Sequence, residues 1–290
     1  MKKYVYSMAV IIAVATAGPT MAFDVQTEVP PGGNSGKLAE MIVEFRKTKN
    51  HSGEVKFNPG CEVAKPRFDG IRDKALLVLA TGNQTKPECG LDLSGPRYRI
   101  VDTMLTYTNA MCYRTDRKEL GMKHFTDARI KKQVATTVAA GANTITRVSD
   151  KLGKGVTESL NIVVIGNSGK ARQVVLSNDF DYVFLDTDWA AKNPDKVTCL
   201  FTGSEKPEKT ATYTIPTLKS IVPDYNPARW QDMVLVAGVN LTDQEIHRTR
   251  TELREMKKIN PLFREWATSP GRFENTIEDG VYEKIMSIKR

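Results

Sequence analysis

The chain is poor in the residues from which hydrolytic sites are usually built. It has three histidines among 290 residues, His51, His124 and His247. His247 lies in a charged segment predicted to be helical and His51 lies in a polar turn, so both are expected at the surface rather than as buried general bases. A hydrolase needs a serine or cysteine within hydrogen-bond reach of a histidine, and these placements argue against that class of enzyme.

Long apolar runs are also lacking, and the one near the N-terminus is short. Lys2 and Lys3 precede an apolar stretch at residues 8–17, and a small-residue site ends at Ala22. Spanning a bilayer takes about 20 apolar residues, so residues 1–22 are predicted to be a secretory signal peptide that is cleaved after Ala22. No cysteine follows that site, so no lipid anchor is expected there. The mature chain is predicted to be periplasmic.

Only four cysteines are present, Cys61, Cys89, Cys112 and Cys199. No two of them are close in sequence and none has a histidine at ligand spacing, so a zinc site is not expected. In an oxidising compartment such residues form disulfides, and four cysteines allow three pairings. We favour Cys61–Cys89 and Cys112–Cys199, with free buried thiols as the alternative.

The charge balance is basic but not strongly so. The chain has 42 Lys and Arg against 34 Asp and Glu, and 40 against 34 without Lys2 and Lys3. The excess is spread along the chain with no run of basic and aromatic residues, which argues against a nucleic-acid groove. A mild positive field favours anionic solutes near a cleft, although a basic surface without that role would give the same count.

Short β-rich runs alternate with amphipathic helical segments along most of the chain. The predicted strands are residues 25–29, 75–80, 133–138, 160–165, 182–185 and 197–201, and the predicted helices are residues 35–47, 143–152, 168–177, 243–258, 261–267 and 276–288. This βαβ series predicts an α/β fold with mainly parallel sheets. The 268 residues after the signal peptide are enough for two lobes.

A five-residue string, Gly-Asn-Ser-Gly-Lys, occurs at residues 33–37 and again at residues 166–170. Each copy follows a predicted strand and opens a predicted helix, where free N–H groups and the helix dipole favour a carboxylate. The positive charges of Lys37 and Lys170 oppose the helix dipole, so each lysine is expected to have an anion nearby or to be exposed to solvent. The alternative to an anion site is that both strings are ordinary capped turns with solvated lysines. The spacing matches neither a P-loop nor a nucleophile elbow. Asp186 and Asp188 flank Thr187 after a strand, where aspartates most often cap the next helix.

The chain resembles the tripartite tricarboxylate transporter receptor family, the Bug or TctC-type periplasmic binding proteins. The similar segments occur in the same order along the chain: residues 30–35 with Leu38 and Ala39, 76–82, 138–144, 165–171, 183–186 and 215–218, then Trp230 and Pro261. The chain departs from the family pattern at Gly36, where the family usually has Asp, and at Val164 and Ile165, where it usually has Tyr-Lys.

The resemblance implies a two-lobed type II periplasmic-binding fold with a hinge of crossing strands. Its lobes would be residues 23–108 with 205–290, and residues 109–204. The implied ligand contacts of the first lobe are Pro31, Gly32, Gly33, Asn34, Ser35, Thr81 and Gly82, and those of the second are Gly141, Asn143, Thr144, Gly166, Asn167, Ser168 and Asp186. Asp186 would accept a hydroxyl or an ammonium from the ligand and would repel a second carboxylate.

The resemblance therefore predicts a monomeric periplasmic receptor that captures a small carboxylate and presents it to the permease of a tripartite transporter. The alternative is a secreted binding or sensor protein of the same fold without a transport role. Neither a catalytic role nor a cofactor or metal is expected.

Overall fold

A computed structural model describes residues 21–80, 90–93, 97–137, 139–166, 168–224, 232–238 and 240–274. Within these ranges the chain forms two larger sheets, each with helices on its faces. The predicted helix at 276–288 and Trp230 lie outside the described residues. No helix of the described ranges is long and apolar enough to cross a membrane.

The first sheet has six strands, which are β1 (Asp24–Thr27), β2 (Val55–Phe57), β3 (Ala75–Ala80), β4 (Arg99–Tyr107), β12 (Asp232–Ala237) and β13 (Arg272–Glu274). Their order across the sheet is β13-β4-β12-β3-β1-β2. β1 pairs in parallel with β2 and β3, whereas β12 runs antiparallel to β3 and β4, and β13 antiparallel to β4.

The second sheet has five strands, which are β5 (Asn109–Arg114), β6 (Lys132–Thr136), β7 (Leu160–Val164), β8 (Tyr182–Asp186) and β9 (Val197–Thr202). Their order across the sheet is β7-β6-β8-β5-β9. β6 pairs in parallel with β7 and β8, and β5 runs antiparallel to β8 and β9. A small separate pair is formed by β10 (Glu208–Lys209) and β11 (Thr214–Ile215).

The α/β class and the two-lobed architecture are confirmed, but the sheets are mixed rather than mainly parallel. The parallel pairs come from the βαβ units that the sequence pattern indicates. Each antiparallel pair of these two sheets includes β4, β5 or β12. The chain passes from the first sheet into the second between β4 and β5, which are separated by Thr108 alone. The predicted lobe boundaries stay a prediction.

Both faces of each sheet are covered by helices, which are α1 (Asn34–Lys47), α2 (Cys61–Gly70), α3 (Met122–Thr126), α4 (Ala139–Leu152), α5 (Ser168–Leu176), α6 (Thr187–Lys192), α7 (Leu218–Ile221), α8 (Asp243–Ile259) and α9 (Pro261–Ala267). In β3, Leu76 and Val78 join the core beneath α1, and Leu77 and Leu79 join the core on the opposite face. This alternation follows from the two-residue period of a strand. A run that is apolar at every position, such as β3, is therefore buried on both sides.

A capping box opens α8, and one predicted disulfide is confirmed. Thr242 Oγ1 accepts the Glu245 N–H, while Glu245 accepts the Thr242 N–H. Cys112 and Cys199 are bonded across neighbouring strands, where they are direct partners in the register. Cys89 lies outside the described residues, so the Cys61–Cys89 pairing stays a prediction.

The lobes meet at a cluster of hydroxyl side chains around Thr108. Its Oγ1 lies 2.9 Å from Ser204 Oγ and 3.2 Å from Thr187 Oγ1, and its N–H donates to the Gly271 carbonyl at 2.8 Å. Gly271 has a φ of +69°, and a Cβ there would lie 2.6 Å from both Thr108 Oγ1 and Thr187 Cβ. Only glycine fits this point, where three segments of the chain converge.

Candidate functional site

The carboxyl ends of the parallel strands in the two lobes face each other. Asn34 follows β1 of the first lobe, Asp186 ends β8 of the second, and Asn34 Nδ2 donates to Asp186 Oδ2 at 2.8 Å. In open α/β sheets ligands bind beyond these strand ends. The predicted contacts that the structure describes at residues 31–35, Gly141, Asn143, Thr144, Gly166 and Ser168 follow such strands, and Asp186 ends one. That they form one ligand site stays a prediction.

The first copy of the repeated string forms the beginning of α1. Gly33 is the N-cap residue and provides no side-chain cap, and helix geometry leaves the N–H groups of the first turn without intrahelical acceptors. Ser35 is 1% exposed, and its Oγ has no hydrogen-bond partner. This helix end therefore offers backbone donors beside an unpaired buried hydroxyl.

Gly36 is explained by crowding at the same helix end. A Cβ at Gly36 would lie 3.0 Å from the Pro30 carbonyl oxygen and 3.2 Å from the Phe57 ring. The aspartate that the family usually has at this position would need both neighbours to move. Pro31 and Gly32, which precede this helix, are exposed, and Gly32 has a φ of +81°.

Asn34 and Asp186 are both held by protein groups. Asp186 Oδ1 accepts the N–H groups of Asp188 and Trp189, which makes it the N-cap of α6, and its Oδ2 accepts from Asn34 and, at 3.3 Å, from Arg272. The capping role expected of a strand-end aspartate is confirmed. Both oxygens of Asp186 thus have partners within the chain.

Arg272 lies at the centre of the contact between the lobes and is not among the residues predicted from the sequence. It belongs to β13 of the first lobe, its side chain is 3% exposed, and Nη1 lies 2.8 Å from Asp188 Oδ2 of the second lobe. Nη2 donates to Asn34 Oδ1 at 3.0 Å, and the guanidinium lies 5.0 Å from the centre of the Trp266 ring. The Pro-Gly turn before Arg272 was the one local signal, and it does not reveal these distant partners.

The charges near Arg272 are mostly acidic. Burial alone would raise the pKa of Asp188, but Lys192 and Arg272 bring it below the usual aspartate value. Glu28 is also buried and accepts the Ala80 N–H at 3.0 Å. Burial raises the pKa of Tyr107 far above that of free tyrosine, with Asp186 and Glu28 acting in the same direction, so its hydroxyl stays neutral.

In the second lobe α4 begins earlier than predicted. The helix starts at Ala139, so Gly141, Asn143 and Thr144 belong to its first turns rather than to a preceding loop. A Cβ on Gly141 would lie 2.1 Å from Thr136 Oγ1. Thr136 is fully buried at the end of β6, and its Oγ1 has no partner. Asn143 is exposed and Thr144 is buried.

The second copy of the string differs from the first in its surroundings. Gly166 has a φ of +96°, Ser168 is half-buried as the first residue of α5, and Lys170 is exposed. Asn167, together with Thr81 and Gly82, lies outside the described residues. Ser35 is thus the second residue of α1 and Ser168 the first of α5, and of the two only Ser35 is fully buried.

The histidines do not combine with the site. The prediction for His51 is wrong: it is buried, with Nε2 2.8 Å from Glu252 Oε1. His124 is half-buried and its Nδ1 lies 2.9 Å from the Tyr182 hydroxyl, whereas His247 is exposed as predicted. Over the part of the chain that the structure describes, no group of three or more His, Cys, Asp or Glu is arranged to hold a metal ion.

Known proteins resemble this chain in structure rather than in sequence. No family model and no curated protein matches it. Periplasmic binding protein BugD superposes with a TM-score of 0.72 and 15% identity over 94% of this chain and 96% of that one. MatC from Rhodopseudomonas palustris with bound malate gives 0.72 and 14% over 94% and 99%, and an R. palustris protein solved with adipate gives 0.74 and 11% over 93% and 94%. The chain therefore has the two-lobed α/β fold of the TctC and Bug-type periplasmic binding proteins.

Proposed function

We propose that this chain is an exported solute receptor that binds a small carboxylate between its lobes. The proposal rests mainly on the surroundings of Ser35. Its hydroxyl is buried without a hydrogen-bond partner, at a helix start that has no side-chain cap. The next residue toward the N-terminus, Asn34, donates a hydrogen bond to Asp186. A buried polar group without a partner is costly, and an anion at a helix N-terminus would satisfy both the hydroxyl and the free N–H groups.

The acidic groups limit how a ligand with two carboxylates would lie. Its first carboxylate would bind the start of α1. The second carboxylate would point away from the carboxylates of Glu28 and Asp186. Its proposed contacts are Gly166, Ser168 and the first turns of α4, which are other parts of the second lobe. Malate and adipate, with which two of the similar structures were solved, have two carboxylates separated by a short carbon chain and suit this arrangement.

The remaining parts of the proposal concern export and delivery. Residues 1–20 lie outside the described residues, and their charged start and apolar stretch support secretion to the periplasm. A ligand that contacts both lobes stabilises the closed arrangement over an open one. Closure of this kind would signal occupancy to the permease of a tripartite transporter, and the receptor itself would act as a monomer.

A thermal-shift screen of the mature protein tests the proposal. The panel is malate, succinate, adipate, citrate, benzoate and aspartate at fixed pH and salt, with adipamide as the uncharged match for adipate. A ligand at 100 times its Kd adds about 2.7 kcal/mol, which raises the melting temperature of a chain this size by roughly 5 °C or more. Stabilisation by a carboxylate and not by its amide is expected. No shift with any member of the panel would contradict the proposal.

A further inference from the structure

The first described residue is part of the core of the first lobe. The side chain of Met21 is 5% exposed and packs in the same apolar cluster as Phe23 and Leu38. Its neighbour Ala22 forms a parallel bridge with Ser52 beside β2. Ala22 therefore extends the pairing of β1 within the first sheet, and Met21 packs into the core rather than preceding the fold.

Both backbone groups of Met21 are held by buried polar side chains. Its N–H donates to His51 Nδ1 at 3.1 Å, and its carbonyl accepts from Arg46 Nη2 at 3.1 Å. Because His51 Nδ1 is an acceptor here, the ring proton lies on Nε2 and is donated to Glu252. Arg46 is 4% exposed, and this burial lowers its pKa to about 10, with Glu252 acting in the opposite direction.

A mature chain that began at Phe23 would lose these contacts. His51 Nδ1 and Arg46 Nη2 would each lose a partner in a buried position, and a buried polar group without a partner destabilises the fold. The new α-ammonium would stand on Phe23, whose ring lies 3.4 Å from the Arg46 guanidinium, so a second positive charge would be added on the residue that packs against Arg46.

We propose that the signal peptide is removed upstream of Met21, between Ala17 and Gly18, and that Met21 and Ala22 remain as part of the folded protein. Ala15-Thr16-Ala17 places small residues at the two positions a signal peptidase reads, and an apolar stretch through Val14 precedes it. Water hydrolyses the Ala17–Gly18 peptide bond, leaving a carboxylate on Ala17 and an ammonium on Gly18. This inference rests on the proposed export of the chain.

The test is the intact mass of the protein recovered from the periplasm of a bacterium expressing the full 290-residue chain. A first residue of Gly18 is the expected result. A first residue of Phe23 would overturn the inference and leave the proposed export intact. A chain that retains Met1 would overturn both.

Two matched substitutions locate the cleaved bond independently of the mass. Ala17→Asp places a charged side chain at the last position before the proposed bond, and should leave at least ten-fold more unprocessed precursor than wild type. Ala22→Asp is the control: Ala22 is exposed in the structure, and this variant should be processed like wild type. Precursor accumulation with Ala22→Asp and not with Ala17→Asp would overturn the inference.

The stability of two defined N-termini tests its physical basis. Chains released from a cleavable fusion partner so that they begin at Gly18 or at Phe23 should differ in melting temperature by roughly 4–8 °C, with the Phe23 form lower. His51→Ala should lower the melting temperature of the Gly18 form more than that of the Phe23 form, because the Met21 contact exists only in the former. Equal melting temperatures for the two forms would contradict the account.

Discussion

Replacing Arg272 with methionine is the sharpest perturbation of the contact between the lobes. The substitution keeps an unbranched side chain near Trp266 but removes a charge that pairs with both Asp186 and Asp188. Arg272 and Asp186 have almost no exposed side-chain surface, so water cannot replace the lost partner. The variant therefore leaves acidic groups buried without their cation.

The expected cost follows from that burial. Removing one partner of a buried ion pair destabilises a protein by about 3–5 kcal/mol. Asp188 keeps its contact with Lys192 at 2.7 Å, which places the Arg272→Met variant near the lower end, at roughly 3 kcal/mol. For a chain of this size that corresponds to a melting temperature lower by roughly 6–12 °C.

Urea denaturation followed by circular dichroism measures the effect. Arg129→Met is the matched control, because Arg129 pairs with Asp127 at the surface with 88% of its side chain exposed, and it should leave the unfolding free energy nearly unchanged. Adding Asp188→Asn to Arg272→Met removes one of the carboxylates that lost Arg272 as a partner, and should recover part of the lost unfolding free energy. A loss below about 1 kcal/mol for Arg272→Met, typical of an exposed pair, would refute the reasoning.

The same pair predicts a dependence on pH. The pKa of Asp188 in the folded protein lies below its ordinary value of 3.8, and Arg272 is one of the causes. A depressed carboxyl pKa contributes stability above the unfolded value and loses it as the pH falls through the folded value. The difference in unfolding free energy between wild type and Arg272→Met should therefore shrink as the pH is lowered from 7 to 3. A difference that stays constant or grows would contradict the assignment.

Two further variants test the strand pairing and the crossing between the lobes. Cys112→Ala with Cys199→Ala removes a bond between residues 87 positions apart, which should cost roughly 4 kcal/mol through the freer unfolded chain; an unchanged urea midpoint would contradict this. Gly271→Ala should cost at least about 2 kcal/mol, because its Cβ would lie 2.6 Å from Thr108 Oγ1 at a positive φ. Calorimetry measures the effect, with Gly70→Ala as the control because a Cβ at Gly70 would have open space around it. Equal melting temperatures for the two alanine variants would contradict the close packing of Gly271 against Thr108.

Features determined by neighbouring residues were predictable from the sequence. The apolar run at 75–80 is the buried strand β3, and the capping box at Thr242 opens α8. The alternation of strands and helices identified the fold class, since each βαβ unit carries its pattern in about 30 residues. The placement of the repeated string at the starts of α1 and α5 follows from the same local signals.

Features that depend on distant residues were not predictable. Arg272 contacts Asp186 and Asn34, which are 86 and 238 positions away in the sequence. No local sequence pattern predicts contacts between residues so far apart. His51 looked like a surface residue because its neighbours are polar, yet Glu252 and Met21 bury it. The antiparallel pairs of β4 and β5 also join strands that are distant in sequence, so no local pattern indicates them.

Titration calorimetry of wild type and Ser35→Ala with the carboxylate that gives the largest thermal shift tests the central claim most directly. Because Ser35 Oγ has no protein partner, its removal should leave the unfolding free energy unchanged or slightly higher while raising Kd roughly five- to thirty-fold. Ser149→Ala is the control, since Ser149 Oγ donates to the Ile145 carbonyl at 2.7 Å within α4; it should lower stability and leave Kd unchanged. Equal Kd values for wild type and Ser35→Ala would contradict a carboxylate site at the start of α1.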